Sequence, residues 1–202
     1  MRAEIRHSPA SLWCIVLAAG GSSRLGRPKQ LVRHKQQPLM CNAVAAATSI
    51  ARQRTVIVLG AGALRLRLAL RRRPLRVVVV ANRRWREGLA SSLRAGLAVL
   101  PPDARAVLIL LVDQPQVRVA LLTRLVRAWR SRPKRAAAAA YGGRIGVPAI
   151  LPRKLWHAAR RLRGDAGARA LLDAERNLTR VVMPEALFDI DTDEDLRGLV
   201  RG

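Results

Sequence analysis

Apolar and polar positions along this chain fall into blocks more than into strict alternation. Runs at 14–17, 55–59, 77–81, 106–112 and 149–151 are almost wholly apolar, and a sixth at 179–182 is broken by Arg180. Strands buried on both faces read this way, because neither side of such a sheet presents a polar row to water. Between the runs the apolar spacing becomes helical near 38–52, 63–71, 91–99, 118–131 and 167–175. In the stretch 118–131, Leu121, Leu122, Leu125, Val126 and Trp129 gather on one side, while Arg124, Arg127 and Arg130 recur on the other. Strands alternating with helices predict an α/β fold: a single-domain, three-layer, doubly wound and mostly parallel sheet with right-handed crossovers. Its ligand crevice is expected at the carboxyl ends of the strands.

Residues 1–13 carry no clear pattern and are read as an N-terminal extension, with the domain over 14–202. Turns are marked at 71–74 and 101–103 by arginine-proline and proline-proline-aspartate sequences. The five alanines of 136–140 fit a strand or a helix equally. No repeat of fixed period and no long linker divides the chain.

The first apolar run opens into Gly20-Gly21-Ser22-Ser23, followed by Arg24, Arg27 and Lys29. Glycine and serine let the backbone curl so that its N–H groups converge on phosphate oxygens, and the cations neutralise what the loop collects. This is a cradle for triphosphate, yet neither familiar phosphate motif fits it. A P-loop would need Gly-Lys-Ser/Thr where Arg27-Pro28-Lys29 stands, and Pro28 interrupts the expected helix. A dinucleotide fingerprint at Gly60-Ala61-Gly62 fails because Arg65 takes the place of the third glycine.

Two acidic segments complete the candidate chemistry. Asp113 follows the apolar stretch 107–112 and precedes Gln114-Pro115, so its carboxylate sits at a strand terminus and is a candidate Mg²⁺ ligand. Asp191 is the second candidate. By the period of two in a strand, Asp189 and Asp191 face one way while Ile190 turns to the core. Capping of the following helix is the competing reading for both aspartates, and Thr192-Asp193-Glu194-Asp195 looks like the acidic first turn of a last helix. His7, His34 and His157 have no metal-binding spacing, and no serine–histidine–aspartate set stands out.

Composition bounds the partners. The formal charge of +25 would by itself point to nucleic acid, but the excess is almost all arginine, scattered from end to end, with lysine only at 29, 35, 134 and 154. Six aromatic residues leave few platforms for stacked bases, so no specific nucleic acid is expected. No apolar run reaches the roughly 18 to 20 residues that span a bilayer, and no signal peptide is evident, so neither a membrane nor export is expected and the protein is placed in the cytoplasm. Cys14 and Cys41 are read as buried thiols.

The arrangement Leu17-Ala18-Ala19-Gly20-x-Ser22-x-Arg24-x-Gly26-x-Pro28-Lys29-Gln30 resembles the first motif of the MobA-like NTP transferases. Segments 82–93, 111–115, 164–169 and 189–196 agree with that resemblance in the family's order, so it covers residues 14 to 196. Among these relatives the chain looks most like the molybdenum cofactor cytidylyltransferases. The resemblance implies a Rossmann-like nucleotidyltransferase fold and Mg²⁺-dependent transfer of CMP from CTP to the terminal phosphate of a molybdopterin-type acceptor, with pyrophosphate as leaving group.

The resemblance also distributes the site residues. Arg24, Lys29 and Asp113 are implied as catalytic, and Asp113 and Asp191 as the metal pair. Leu17, Ala18, Ala19, Gly20, Gly21, Ser22, Ser23, Arg24, Lys29, Asn82, Ser91 and Ser92 are implied around the nucleotide. Ser91 and Ser92 read equally as helix caps, and Asn82 as a turn former. Gly146, Pro148, Asp165 and Arg169 fall on the acceptor side, the last suited to a phosphate by its guanidinium fork. Ala18-Ala19-Gly20 is typical of the CTP-using members. Leu25 stands where many relatives have methionine, and Arg83 where proline is common. A client molybdoenzyme would receive the product. The alternatives are guanylyl transfer from GTP, a sugar- or polyol-phosphate acceptor, or a non-enzymatic polyanion-binding protein.

Overall fold

The computed structural model describes residues 11–201. The chain runs β1 (Leu12–Ala18), a small hairpin of β2 (Arg33–His34) and β3 (Gln37–Pro38), α1 (Leu39–Ala51), β4 (Thr55–Leu59), α2 (Ala63–Arg71), β5 (Val78–Ala81) and α3 (Leu89–Ala98). It continues with β6 (Ala106–Leu111), α4 (Val119–Arg130), β7 (Ala137–Tyr141), β8 (Arg144–Pro152), α5 (Trp156–Arg161), α6 (Ala168–Ala174), β9 (Thr179–Val182) and α7 (Asp193–Arg201). Seven strands form one sheet in the order β5-β4-β1-β6-β8-β7-β9. Pairing is parallel except along β8, which runs antiparallel to both β6 and β7. The fold is the expected three-layer α/β sheet of the Rossmann-like nucleotidyltransferase type.

The period of two decides which side of the sheet each residue serves. Along β1, Cys14, Val16 and Ala18 pack into one core layer with Met40, Val44 and Ala47 of α1, Leu66 of α2 and Leu122 of α4. Ile15 and Leu17 face the other layer, against Leu93 and Leu97 of α3, Trp156 of α5 and Leu172 of α6. Apolar side chains are therefore needed at every position of the central strands, which is why those runs read as continuous.

Departures from the sequence expectations have local causes. β1 begins at Leu12, inside the stretch read as an extension, because Trp13 pairs in register with Val107; the remainder of that stretch, 1–10, lies outside the described residues. The expected strand 149–151 is the end of a longer one, hidden from sequence by Gly146, Pro148 and exposed Arg144. The alanine run resolves into strand β7, since β8 and β9 pair with it on either side and close its backbone hydrogen bonds. Both cysteines are free and buried, and burial raises each thiol above its ordinary pKa. Among the described residues no helix is long and apolar enough to cross a membrane.

Candidate active site

The chain leaves β1 at Ala18 and turns across the carboxyl edge of the sheet. Gln30, 1% exposed, fixes that exit by donating Nε2 to the carbonyls of Ala18 at 3.0 Å and Gly20 at 2.7 Å. Ser22 takes a positive φ of 55°, the N–H groups of Leu25 and Gly26 turn back to its carbonyl, and its Oγ accepts from the Lys29 N–H at 3.0 Å. The N–H groups of Leu25 and Gly26 are thus consumed inside the turn and are not offered to a ligand. Buried Leu25 anchors the loop, while Ser23 and Arg24 stay exposed.

Asp113 follows β6 by two residues. Its backbone carbonyl accepts from the Ile190 N–H at 2.9 Å, which holds 189–191 against the same sheet edge. Lys29 Nζ then donates to Asp113 Oδ2 at 2.6 Å and to Asp191 Oδ1 at 2.8 Å, so two carboxylates far apart in sequence share one cation. Arg24 donates to the other Asp191 oxygen at 2.8 Å. Ile190 is fully buried as expected, although 189–191 lies outside any strand.

Helix capping is assigned elsewhere. Asp195 Oδ2 accepts from the N–H of Asp191 and of Thr192, while Thr192 Oγ1 accepts from the Asp195 N–H, a reciprocal box at the start of α7. Arg118 occupies the cap position of α4. Both site aspartates are therefore released from the capping role that competed for them.

The charges interlock. Burial pushes the Lys29 ammonium downward, but Asp113 and Asp191 outweigh it and its pKa lies above the ordinary value. The hydrogen bond from Lys29, opposed by partial burial, holds the Asp191 carboxyl below the usual range. Burial and then the Asp113 charge push Asp189 up to about 6, and its Oδ1 has no partner. Asp113 Oδ1 is likewise buried without a partner. Such a donor suits a hard divalent cation, and among the described residues no cluster of three or more His, Cys, Asp or Glu side chains is placed to hold an ion alone. Two carboxylates with substrate oxygens completing the shell is how magnesium is commonly bound.

Beside this centre opens a cleft of about 380 Å³, lined by Leu17, Ala18, Ala19, Gly20, Gly21 and Lys29 from the first motif, by Trp85, Arg86, Leu89 and Ser92, and by Asp113 and Asp165. Asn82 and Ser91 do not line it. Asn82 Nδ2 donates to both Ser91 Oγ (2.8 Å) and Ser92 Oγ (3.1 Å), and its Oδ1 accepts from the Arg84 N–H, so it braces the turn that carries Trp85. Neither serine caps α3, whose cap position is Gly88; Ser91 instead donates to backbone carbonyls. Arg83, exposed, is accommodated in this braced turn.

On the side read as the acceptor's, Asp165 reaches the same cleft, with Oδ1 3.4 Å from the Leu89 N–H. Gly146 is buried where a side chain would collide with the Tyr141 hydroxyl, and Pro148 follows a cis peptide inside β8. Arg169 lies outside the cleft and pairs with Asp173 at 3.5 Å. Residues to which sequence reasoning gave no role of their own include Trp85, Gln30 and Asp189. Trp85 lies against Gly21 and Gly60, where a Cβ at Gly60 would come within 2.6 Å of Trp85 Cβ. Of the glycine pair dismissed as a failed dinucleotide motif, Gly60 thus has a packing reason, while Gly62 stands in open space with a φ of +64°.

A larger cavity, about 1200 Å³, lies between residues 27–35 and the elements α4 and α7, with Arg27, Arg33, Lys35, Arg65 and Arg118 on its walls. It holds neither Asp113 nor Asp191, and its cations match the arginine excess of the whole chain. The smaller cleft, by contrast, is lined by Asp113 and Lys29.

Comparison with known proteins agrees with this geometry. A family model described as the MobA-like NTP transferase domain matches residues 14–180. The structure of Rv0371c from Mycobacterium tuberculosis H37Rv superposes with a TM-score of 0.78 at 29% identity, over 96% of this chain and 100% of that one. A complex of the same protein with manganese aligns at 28% identity and TM-score 0.72, with the same coverage. The bifunctional protein GlmU of Burkholderia multivorans is 33% identical over 118 residues, 57% of this chain, which spans only 25% of that protein's length.

Proposed function

The chain belongs to the MobA-like NTP transferase family, a family of nucleotidyltransferases, and from that premise we propose that it transfers the CMP of CTP to the terminal phosphate of a molybdopterin-type acceptor in the cytoplasm. The observation that carries this reading is the meeting of the Gly/Ser loop with Asp113 and Asp191 on the single ammonium of Lys29. Asp113 and Asp191 would hold Mg²⁺, which when bound would draw charge from the α-phosphate and from the departing pyrophosphate. Manganese in the M. tuberculosis relative supports a divalent ion at such a site.

The chain's own residues position and neutralise. Backbone at Ala18–Gly21 borders the cleft, where small side chains would let a pyrimidine approach it, and Arg24 and Lys29 would take the β- and γ-phosphates. An acceptor phosphate oxygen attacks the α-phosphorus in line as the bond to pyrophosphate breaks, and nothing covalent forms on the protein. Gly146, Pro148, Asp165 and Arg169 remain the proposed acceptor side, with Asp165 at the junction of the two substrates. A client molybdoenzyme would take the product.

The test is pyrophosphate release from each of the four NTPs with Mg²⁺, in the presence and absence of molybdopterin. CTP-selective, acceptor-dependent release is expected. The second reading has a sugar or polyol phosphate as acceptor, and release that requires a hexose 1-phosphate instead of molybdopterin selects it. Nucleotide-indifferent, salt-sensitive binding without turnover leaves only a polyanion-binding protein.

A further inference from the structure

Three oxygens converge on one nitrogen at the centre of the site. Lys29 Nζ donates to Asp113 Oδ2 at 2.6 Å, to Asp191 Oδ1 at 2.8 Å and to the Ile190 carbonyl at 3.3 Å. An ammonium has three donors, and all three are spent. The side chain is 14% exposed, so these bonds are sheltered from competing water. A lysine kept ready for a phosphate would point at an open anion seat. This one fills the gap between two carboxylates instead, and Arg24 closes the remaining oxygen of Asp191.

We propose that Lys29 occupies, in the nucleotide-free protein, the seat that the divalent ion takes in the working complex, so that metal and triphosphate bind as a coupled pair. The inference rests on the reading above that this site takes both. An ion arriving alone must break the Lys29 pairs and leave a sheltered ammonium without a counter-charge, which is costly. A triphosphate removes that cost, because its β- and γ-oxygens offer Lys29 and Arg24 new partners while Asp113 and Asp191 turn to the ion. The nucleotide therefore raises metal affinity, and by linkage the metal raises nucleotide affinity by the same factor. Lys29 acts twice: it neutralises the carboxylates before the ion arrives, and it neutralises phosphate afterwards.

The experiment measures Mn²⁺ binding without nucleotide, by paramagnetic resonance of the free ion, for the full chain and for Lys29→Met, Lys29→Arg and the double variant Lys29→Met/Asp113→Asn. Lys29→Met is expected to bind Mn²⁺ about tenfold more tightly or better, a coupling of ordinary size. Lys29→Arg keeps a cation between the carboxylates and should stay as weak as the parent. The double variant should lose the gain, and the rise in thermal midpoint with Mn²⁺ should follow the same order. If Lys29→Met melts cooperatively yet binds Mn²⁺ no better than the parent, or if Lys29→Arg gains as much as Lys29→Met, the exchange is overturned. Pyrophosphate release by the unaltered chain separates the two claims. Turnover without a gain in Lys29→Met defeats the exchange alone, and a gain without any turnover supports the exchange while defeating the transferase assignment.

Discussion

Asp113 keeps one carboxylate oxygen on Lys29 and buries the other without a partner. That asymmetry separates its catalytic from its structural worth. Replacing it with asparagine leaves the backbone bond to Ile190 in place, so the fold should survive while turnover falls by about 3 kcal/mol or more, roughly a hundredfold, as on loss of one preorganised charge. Steady-state pyrophosphate release beside a thermal melt checks both halves. Asp189 makes the opposite prediction. Its pKa is about 6 in the fold against an ordinary 3.8, so between those values the unfolded chain gives up the proton that the folded chain keeps. Stability should therefore fall as pH rises from about 4 to about 6 on account of this group, and Asp189→Asn should remove that slope and be the more stable protein at pH 7. Urea midpoints of both proteins across that range decide it; parallel profiles contradict the assignment. That Asp113, Asp191, Lys29 and Arg24 would meet was legible because strand ends and a glycine loop share one edge of such a sheet. Gln30 and Trp85 were not, because Gln30 acts on carbonyls 10 and 12 residues away and Trp85 acts by packing on glycines.

Elements whose apolar period stands alone were legible from sequence: β4, α2 and β9 match their expected limits, and α1 and α4 differ by a residue at each end. Those decided by neighbours were not. The alanine run became a strand only because β8 and β9 flank it, and short α5, with Trp156 and Ala159 buried between charged residues, has too few turns to show a period. The joints between elements carry sharper tests. Gly88 ends the turn braced by Asn82 with φ of +90°, and a Cβ there would run into the Gly164 carbonyl and come within 2.7 Å of Asp165 Oδ1. Gly88→Ala should cost about 1–3 kcal/mol of stability through backbone strain, with further loss from the collision. It should also weaken nucleotide binding, since the displaced segments carry Leu89 and Asp165 of the cleft; denaturant titration and CTP binding measure the two effects. At the start of α7, Thr192→Ala breaks the reciprocal box with Asp195 and should cost about 1 kcal/mol. The mutant should keep its metal affinity if Asp191 serves the site and not the cap.

At the scale of the molecule, the doubly wound order places β1 and β6 side by side at the centre of the sheet, so their carboxyl ends deliver the glycine loop and Asp113 to one place. Charge is the other global property, and it does not share that focus. The chain has 38 lysines and arginines against 13 acidic residues, and the arginines are scattered from end to end of the sequence, far beyond the few that border the cleft. Two salt dependences should follow. Association with duplex DNA draws on many scattered cations and releases many counterions, so it should weaken by about a thousandfold or more between 50 and 200 mM salt. Nucleotide binding draws on Lys29 and Arg24 and on backbone donors, a set too small to release as many ions, so the CTP KM should change by less than about tenfold over the same range. Fluorescence anisotropy with labelled duplex, run beside steady-state kinetics at matched salt, compares the slopes. If KM followed the DNA curve, the triphosphate would be held by the general positive field of the surface, and the loop would lose its assignment as the cradle.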